Sequence, residues 1–139
     1  ILHVSPGGSD GSGTGTTGNP FQTLDAAVTA ASAGDAIEIH PGTYDVAHVG
    51  SDAVAIRDQG KQLHIYGANA VTVLRVNCAN YVSRDCNAVR LHGSGSVLSN
   101  VTVEYTPNRS AKYSNAILSF HTNTNEVLHV CTEATTPPK

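Results

Sequence analysis

From Gly34 onward the apolar residues of this chain alternate with polar ones, in short segments: AIEIH, AVAIR, LHIYG, VTVLRV, AVRLH, VTVEY, AILSF and VLHVCT. A period of two is the mark of a strand with one buried face. It sets Ile37 and Ile39 against Glu38 and His40. By the same parity Leu63, Ile65, Leu128 and Val130 point inward, and His64, His129 and Cys131 point outward. Gly, Asn, Asp and Ser break the chain between segments, and PGTY at 41–44 reads as a turn. Only the stretch before Gly34 has another period. Phe21, Leu24, Val28 and Ala31 fall at i, i+3, i+7 and i+10, which predicts one short helix. Asn19 or Thr23 serves as its N-cap, Pro20 suits its first turn, and Gly34 is the expected left-handed stop. Residues 7–19 form a Gly/Ser/Thr loop with no side chains suited to packing.

The strand segments repeat. SDAVAIRDQGKQLHIYG, CNAVRLHGSGSVLSNVTVEY and SNAILSFHTNTNEVLHVCTE each open on Asp or Asn, then Ala, then Val or Ile, and pass through a polar turn into a second alternating strand. This alignment matches Ala53, Ala88 and Ala116. It also puts His64, Asn100 and His129 in one row, and Arg57, His92 and His121 in another. Such a repeat predicts a solenoid of parallel strands, with the alternate apolar residues filling its interior. A solenoid has open ends that expose core and unpaired backbone. The helix is therefore expected to be a cap over the first coil. No such device is visible at the other end, where a Thr/Pro tail follows.

Composition narrows the classes. Charged residues are 14% and the formal net charge is −3, with eight scattered Lys and Arg. Nucleic acid is excluded as an expected partner, because phosphate binding needs clustered cations. No apolar run approaches the roughly 20 residues that span a bilayer. Residues 1–5 read as a strand rather than as a leader. Abundant Gly, Ser, Thr and Asn with little Lys suits an extracellular or cell-surface β-protein. Cys78 and Cys86 bracket the loop CANYVSRDC and could pair locally, which leaves Cys131 for a bond to another chain; the spacing serves three reduced thiols equally. Asn100 and Asn108 open sequons and are the candidate glycan acceptors.

Residues 3–46, HVSPGGSDGSGTG through NPFQTLDAAVTAASAGDAIEIHPGTYDV, resemble the N-terminal block of the pectate-lyase-like superfamily of right-handed parallel β-helices. The matching positions are Val4, Ser5, Gly8, Ser9, Asp10, Pro20, Phe21, Thr23, Leu24, Ala27, Gly34, Asp35, Ile37, Pro41, Gly42, Thr43 and Tyr44. The resemblance implies an all-β fold, a right-handed parallel β-helix (solenoid) with one short N-terminal capping helix. A single domain is expected over 1–134, with strand, loop, cap helix and first coil in 1–45, coils in 46–134, and a tail in 135–139. The superfamily holds lyases, hydrolases, adhesins and structural proteins, so the fold alone selects no activity.

A lyase acting on uronates needs a base and a cation, Ca²⁺ or Arg/Lys, to neutralise the substrate. A hydrolase needs converging carboxylates. Among the acidic residues after the cap, which include Asp45, Asp52, Asp58 and Asp85, only Glu104 and Glu133 fall at equivalent places in successive repeats; they are the weak catalytic candidates. Arg57, Arg75, Arg84 and Arg90 lack an acidic cluster beside them. The outward histidines form no four-ligand set, so no metal and no cofactor is expected, Ca²⁺ entering only if the protein is a lyase. The leading expectation is a non-enzymatic structural module that stacks head to tail with copies of itself, or on an adjoining β-helix domain, into a fibre or surface assembly. The alternatives are an enzyme acting on acidic polysaccharide, and a sugar-binding adhesin using Tyr66, Tyr81, Tyr105 or Tyr113.

Overall fold

The computed structural model describes residues 1–46, 54–68, 72–77, 86–91, 93, 95–106, 114–119 and 126–134. Its elements, in chain order, are β1 (Leu2–Val4), α1 (Leu24–Ala30), β2 (Ala36–Ile39), β3 (Gly42–Val46), β4 (Val54–Arg57), β5 (His64–Gly67), β6 (Thr72–Asn77), β7 (Cys86–Leu91), β8 (Val97–Thr106), β9 (Ser114–Ser119) and β10 (Glu126–Ala134). The fold is all-β, and every strand pairing among the described residues is parallel.

Each strand pairs with its equivalent one repeat later. Ile37 faces Ile65, Val73 faces Thr102, and Val54 faces Asn87. One sheet has two branches, β1-β2-β5 and β3-β6, that meet on β8, and β10 pairs with β8; a second sheet is β4-β7-β9. Parallel strands buried on the inner face place Val4, Ile37, Ile39, Ile56, Leu63, Ile65, Leu74, Val89, Leu98 and Val103 in one core. Burying a side chain of that size contributes about 1.5–3 kcal/mol before the entropy of ordering is subtracted.

Thr23 caps α1: its Oγ1 accepts the Ala26 N–H, at 3.2 Å. Asp10, from the glycine-rich loop, braces that cap. Its Oδ1 accepts the N–H groups of Gln22 and Thr23 at 2.9 Å each, and its Oδ2 accepts the Thr23 hydroxyl at 2.7 Å. The loop therefore has a packing role. It is pinned to β1 and to the start of the helix by backbone bonds such as His3 N–H to Gly15 O and Ser9 N–H to Pro20 O. The buried face of the helix, Leu24, Ala27 and Val28, joins Phe21 and Ala31 in the core, and α1 lies against β1, β2 and β4.

Three expectations change. The helix does not stop at Gly34. It ends at Ala31, whose backbone is already extended, and Gly34, at φ 94°, belongs to the turn beyond. The orphan carbonyls at that end are taken by Lys61, whose Nζ donates to Val28, Thr29 and Ala31 O at 2.7, 3.1 and 2.8 Å. A cation there also complements the helix dipole. PGTY is not only a turn, since β3 begins at Gly42.

The repeat register moves as well. Ala88 lies between Asn87 and Val89, which pair with Val54 and Ile56, so the true match is two residues beyond Ala53. A two-residue slip keeps the same face, which is why the parity stayed right. His64 pairs with Val97 rather than Asn100, and Arg57 with Arg90 rather than His92. On the His64 row a further residue is lost at Asn100, at φ 57°: the chain turns there, so that Leu98 and Val101 are both buried. Alternation slips by one at that corner, and a row counted through it lands on the wrong residue. His92, His121, Ala53, Asn108, Cys78 and the tail lie outside the described residues.

Candidate functional site

Of the weak catalytic pair, Glu104 lies on β8 in the β3-β6-β8-β10 branch, and the backbone of Glu133 on β10 is its register partner. Asp45 pairs with Arg75, Arg75 with Glu104, and Glu104 with Glu133, giving one row across four strands. Adjacent strands are about 4.8 Å apart, so the spacing itself is compatible with two cooperating carboxyls. The partners are not. Arg75 Nε donates to Glu104 Oε2 at 2.9 Å, and Arg75 Nη1 lies 3.7 Å from Asp45 Oδ1. The hydrogen bond to Glu104, its charge and that of Asp45 together raise the Arg75 pKa above its ordinary value. Glu104 is thus half of an ion pair. An exposed pair of this kind contributes little to stability.

Beside this row a cleft of about 440 Å³ opens between the N-terminal turn of α1 and β3, lined by Pro6, Thr23, Asp25, Tyr44, Asp45 and Val46 among others. Asp25 Oδ1 lies 3.5 Å from Arg57 Nε. Tyr44 is buried, and its hydroxyl donates to His40 O at 2.6 Å with Val4 O at 3.3 Å. Loss of water raises its pKa from 10.0 to about 12. The folded chain therefore keeps a proton that the unfolded chain releases above pH 10. Tyr44 linkage leaves stability unchanged below that pH, and stability falls as pH rises from 10 toward 12. Denaturant titrations across that range check this: Tyr44→Phe should flatten the fall. An equal slope in both proteins would refute the assignment.

On the other branch, His64 is exposed, and its ring centroid lies 5.0 Å from that of Tyr66. Tyr66 is half-buried; desolvation, then the charge of Glu38, raises its pKa. His64 Nε2 meets Ser99 Oγ at 3.3 Å. Asn100 is exposed, but its Nδ2, the atom a glycan would use, donates to Gly67 O at 2.9 Å. The backbone of Cys131 lies opposite Thr102. Cys78, Asn108, Tyr81 and Tyr113 lie outside the described residues.

Residues 7–70 match a known family. Its description is Protein of unknown function (DUF1565), and its domains are of the right-handed β-helix type. The match covers the loop, α1, β2, β3, β4 and β5, the region in which Asp10, Thr23 and Lys61 fasten the helix to the first strands. No curated protein and no solved structure matches the chain.

Sequence reasoning missed a third arrangement. Among the described residues, His3, Glu38 and His40 bring one donor atom each to within 4.8 Å of one another. The alternation in AIEIH already put Glu38 and His40 on one face. Nothing local could show that β1 pairs with β2 and sets His3 opposite Glu38.

Proposed function

We propose that the chain is a right-handed parallel β-helix module of the pectate-lyase-like kind with a structural role outside the cell, associating end to end with other copies of itself. The observation that carries this reading is β10. Nine residues long, it lies in parallel register on β8 through both branches of the sheet. No strand among the described residues covers its other edge. A long row of backbone donors and acceptors takes up a further strand readily, and a heterologous contact of that kind repeats without closing. The ion pairing of Glu104 with Arg75 also favours a structural outer row over a catalytic one.

Sedimentation velocity of the purified chain over a hundredfold range of concentration tests the proposal, with electron microscopy of the same samples. Mass that grows with concentration, and filaments, are expected. Retention of the filaments in Cys131→Ser would make the contact non-covalent. A monomer at every concentration would overturn the reading.

A second reading, action on or binding of an acidic polysaccharide, is favoured by the cleft that holds Asp25 and Asp45 beside α1. It predicts saccharide-dependent turnover or binding that Asp45→Ala abolishes, and only there would Ca²⁺ have a part.

A further inference from the structure

His3 lies on β1, and Glu38 on β2 is its register partner. His40 follows Glu38 by two residues, on the same face. His3 Nδ1 lies 3.0 Å from His40 Nε2 and 3.4 Å from Glu38 Oε2. Two ligands about 2.0–2.1 Å from a tetrahedral zinc are about 3.3 Å apart, so these two separations suit a chelate, and the third pair, Glu38 with His40, lies within 4.8 Å.

Protons alone serve the arrangement poorly. If Nδ1 of His3 accepts a hydrogen bond from His40, it has no proton to offer the Glu38 carboxylate 3.4 Å away. If it donates to Glu38, the same proton has to be shared with His40. A cation between the three satisfies every lone pair at once. The far side of the His3 ring is held, since Nε2 meets Thr17 Oγ1 at 3.2 Å. A partner on the second nitrogen of a ligand histidine fixes its ring and tautomer. The backbone of His40 is fixed too: its N–H donates to Val4 O at 2.8 Å, and its carbonyl accepts the Tyr44 hydroxyl.

We propose that His3, Glu38 and His40 bind one divalent transition-metal ion, zinc in the first instance. Two imidazoles and one carboxylate suit zinc better than calcium or magnesium, which prefer all-oxygen sites. Three protein ligands leave a fourth position for water or for a donor from another molecule. The site is independent of the assembly proposed above.

The test is zinc binding by the full, untagged chain, measured by equilibrium dialysis with metal analysis and by cobalt(II) absorption. One equivalent of zinc is expected, with the visible bands of four-coordinate cobalt and no thiolate charge-transfer band. His40→Ala and Glu38→Gln should each weaken binding at least tenfold. Thr17→Val should weaken it about tenfold through the outer hydrogen bond, without changing the melting temperature of the metal-free chain. His3→Gln, which keeps much of the side chain, guards against a folding defect in the alanine variant. No zinc bound, affinity kept in both His40→Ala and Glu38→Gln, or a thiolate band in the cobalt spectrum would each overturn the proposal.

Discussion

Asp58→Ala is expected to cost about 3–5 kcal/mol of folding stability, the largest effect of any single polar substitution considered for this chain. Asp58 is buried, at 1% exposure. Its Oδ1 accepts the Gly60 N–H at 2.9 Å, and its Oδ2 accepts the Gly93 N–H and the Ser96 hydroxyl at 2.8 Å each. Ser96 Oγ in turn accepts the Leu63 N–H at 3.2 Å. One carboxyl thus joins the turn after β4 to the turn before β8, one repeat on. Removing it takes the acceptor from the buried Gly93 N–H, at about 1–3 kcal/mol where no water replaces it, breaks the bond to the Gly60 N–H, and leaves the Ser96 hydroxyl to Lys61 O, at 2.9 Å. Urea unfolding measures this through the midpoint at constant slope. Arg75→Ala is the control, expected to change stability by no more than about 1 kcal/mol because its ion pairs are exposed. A loss below about 1 kcal/mol for Asp58→Ala would show that the two turns do not depend on the carboxyl.

Gly67→Ala should cost about 2–3 kcal/mol or more. A Cβ at Gly67 would lie 2.1 Å from Asn100 O and 3.0 Å from Thr72 Cβ. The obstacle is backbone, which cannot swing aside as a side chain can. It is also the backbone of the corner residue, whose own amide donates to Gly67 O. The added methyl group would push apart two stacked corners, and with them the start of the β6–β8 pairing. Gly18→Ala is the contrast, since a Cβ there meets nothing within 4 Å. It should be neutral or slightly stabilising. Equal melting temperatures for the two variants would mean that the corner yields at little cost.

The two variants mark where reading along the chain works and where it fails. Whether a residue faces in or out is a local property of a pleated strand, so the alternation in AIEIH and LHIYG named Ile37, Ile39, Leu63 and Ile65 as core, and all four are buried. Of the stripe of Phe21, Leu24, Val28 and Ala31 all four are buried, but only Leu24 and Val28 lie within the helix: Phe21 precedes the cap and bridges to Val4, and Ala31 is the extended residue after the helix. Thr23 was legible as a cap. The pairing of Glu104 with Glu133 could be counted because both follow the corner at Asn100 and its equivalent, so the slip cancels. His64 precedes the corner and was misplaced by the same count.

The sequence by itself determined the strand period, the short helix before Gly34, the buried face and the existence of the repeat, because each depends on neighbours a few residues apart. Only the tertiary structure decided which residue of one strand lies beside which residue of the next. Parallel neighbours here are separated by a whole repeat, and each corner and turn between them can add or drop a residue without disturbing the local pattern. For that reason Asp58 stood only as one of the acidic residues after the cap and proved to be buried, and Lys61 gave no sign that it would close the helix. His3, which stands far from Glu38 and His40 in the chain, met them only when β1 paired with β2.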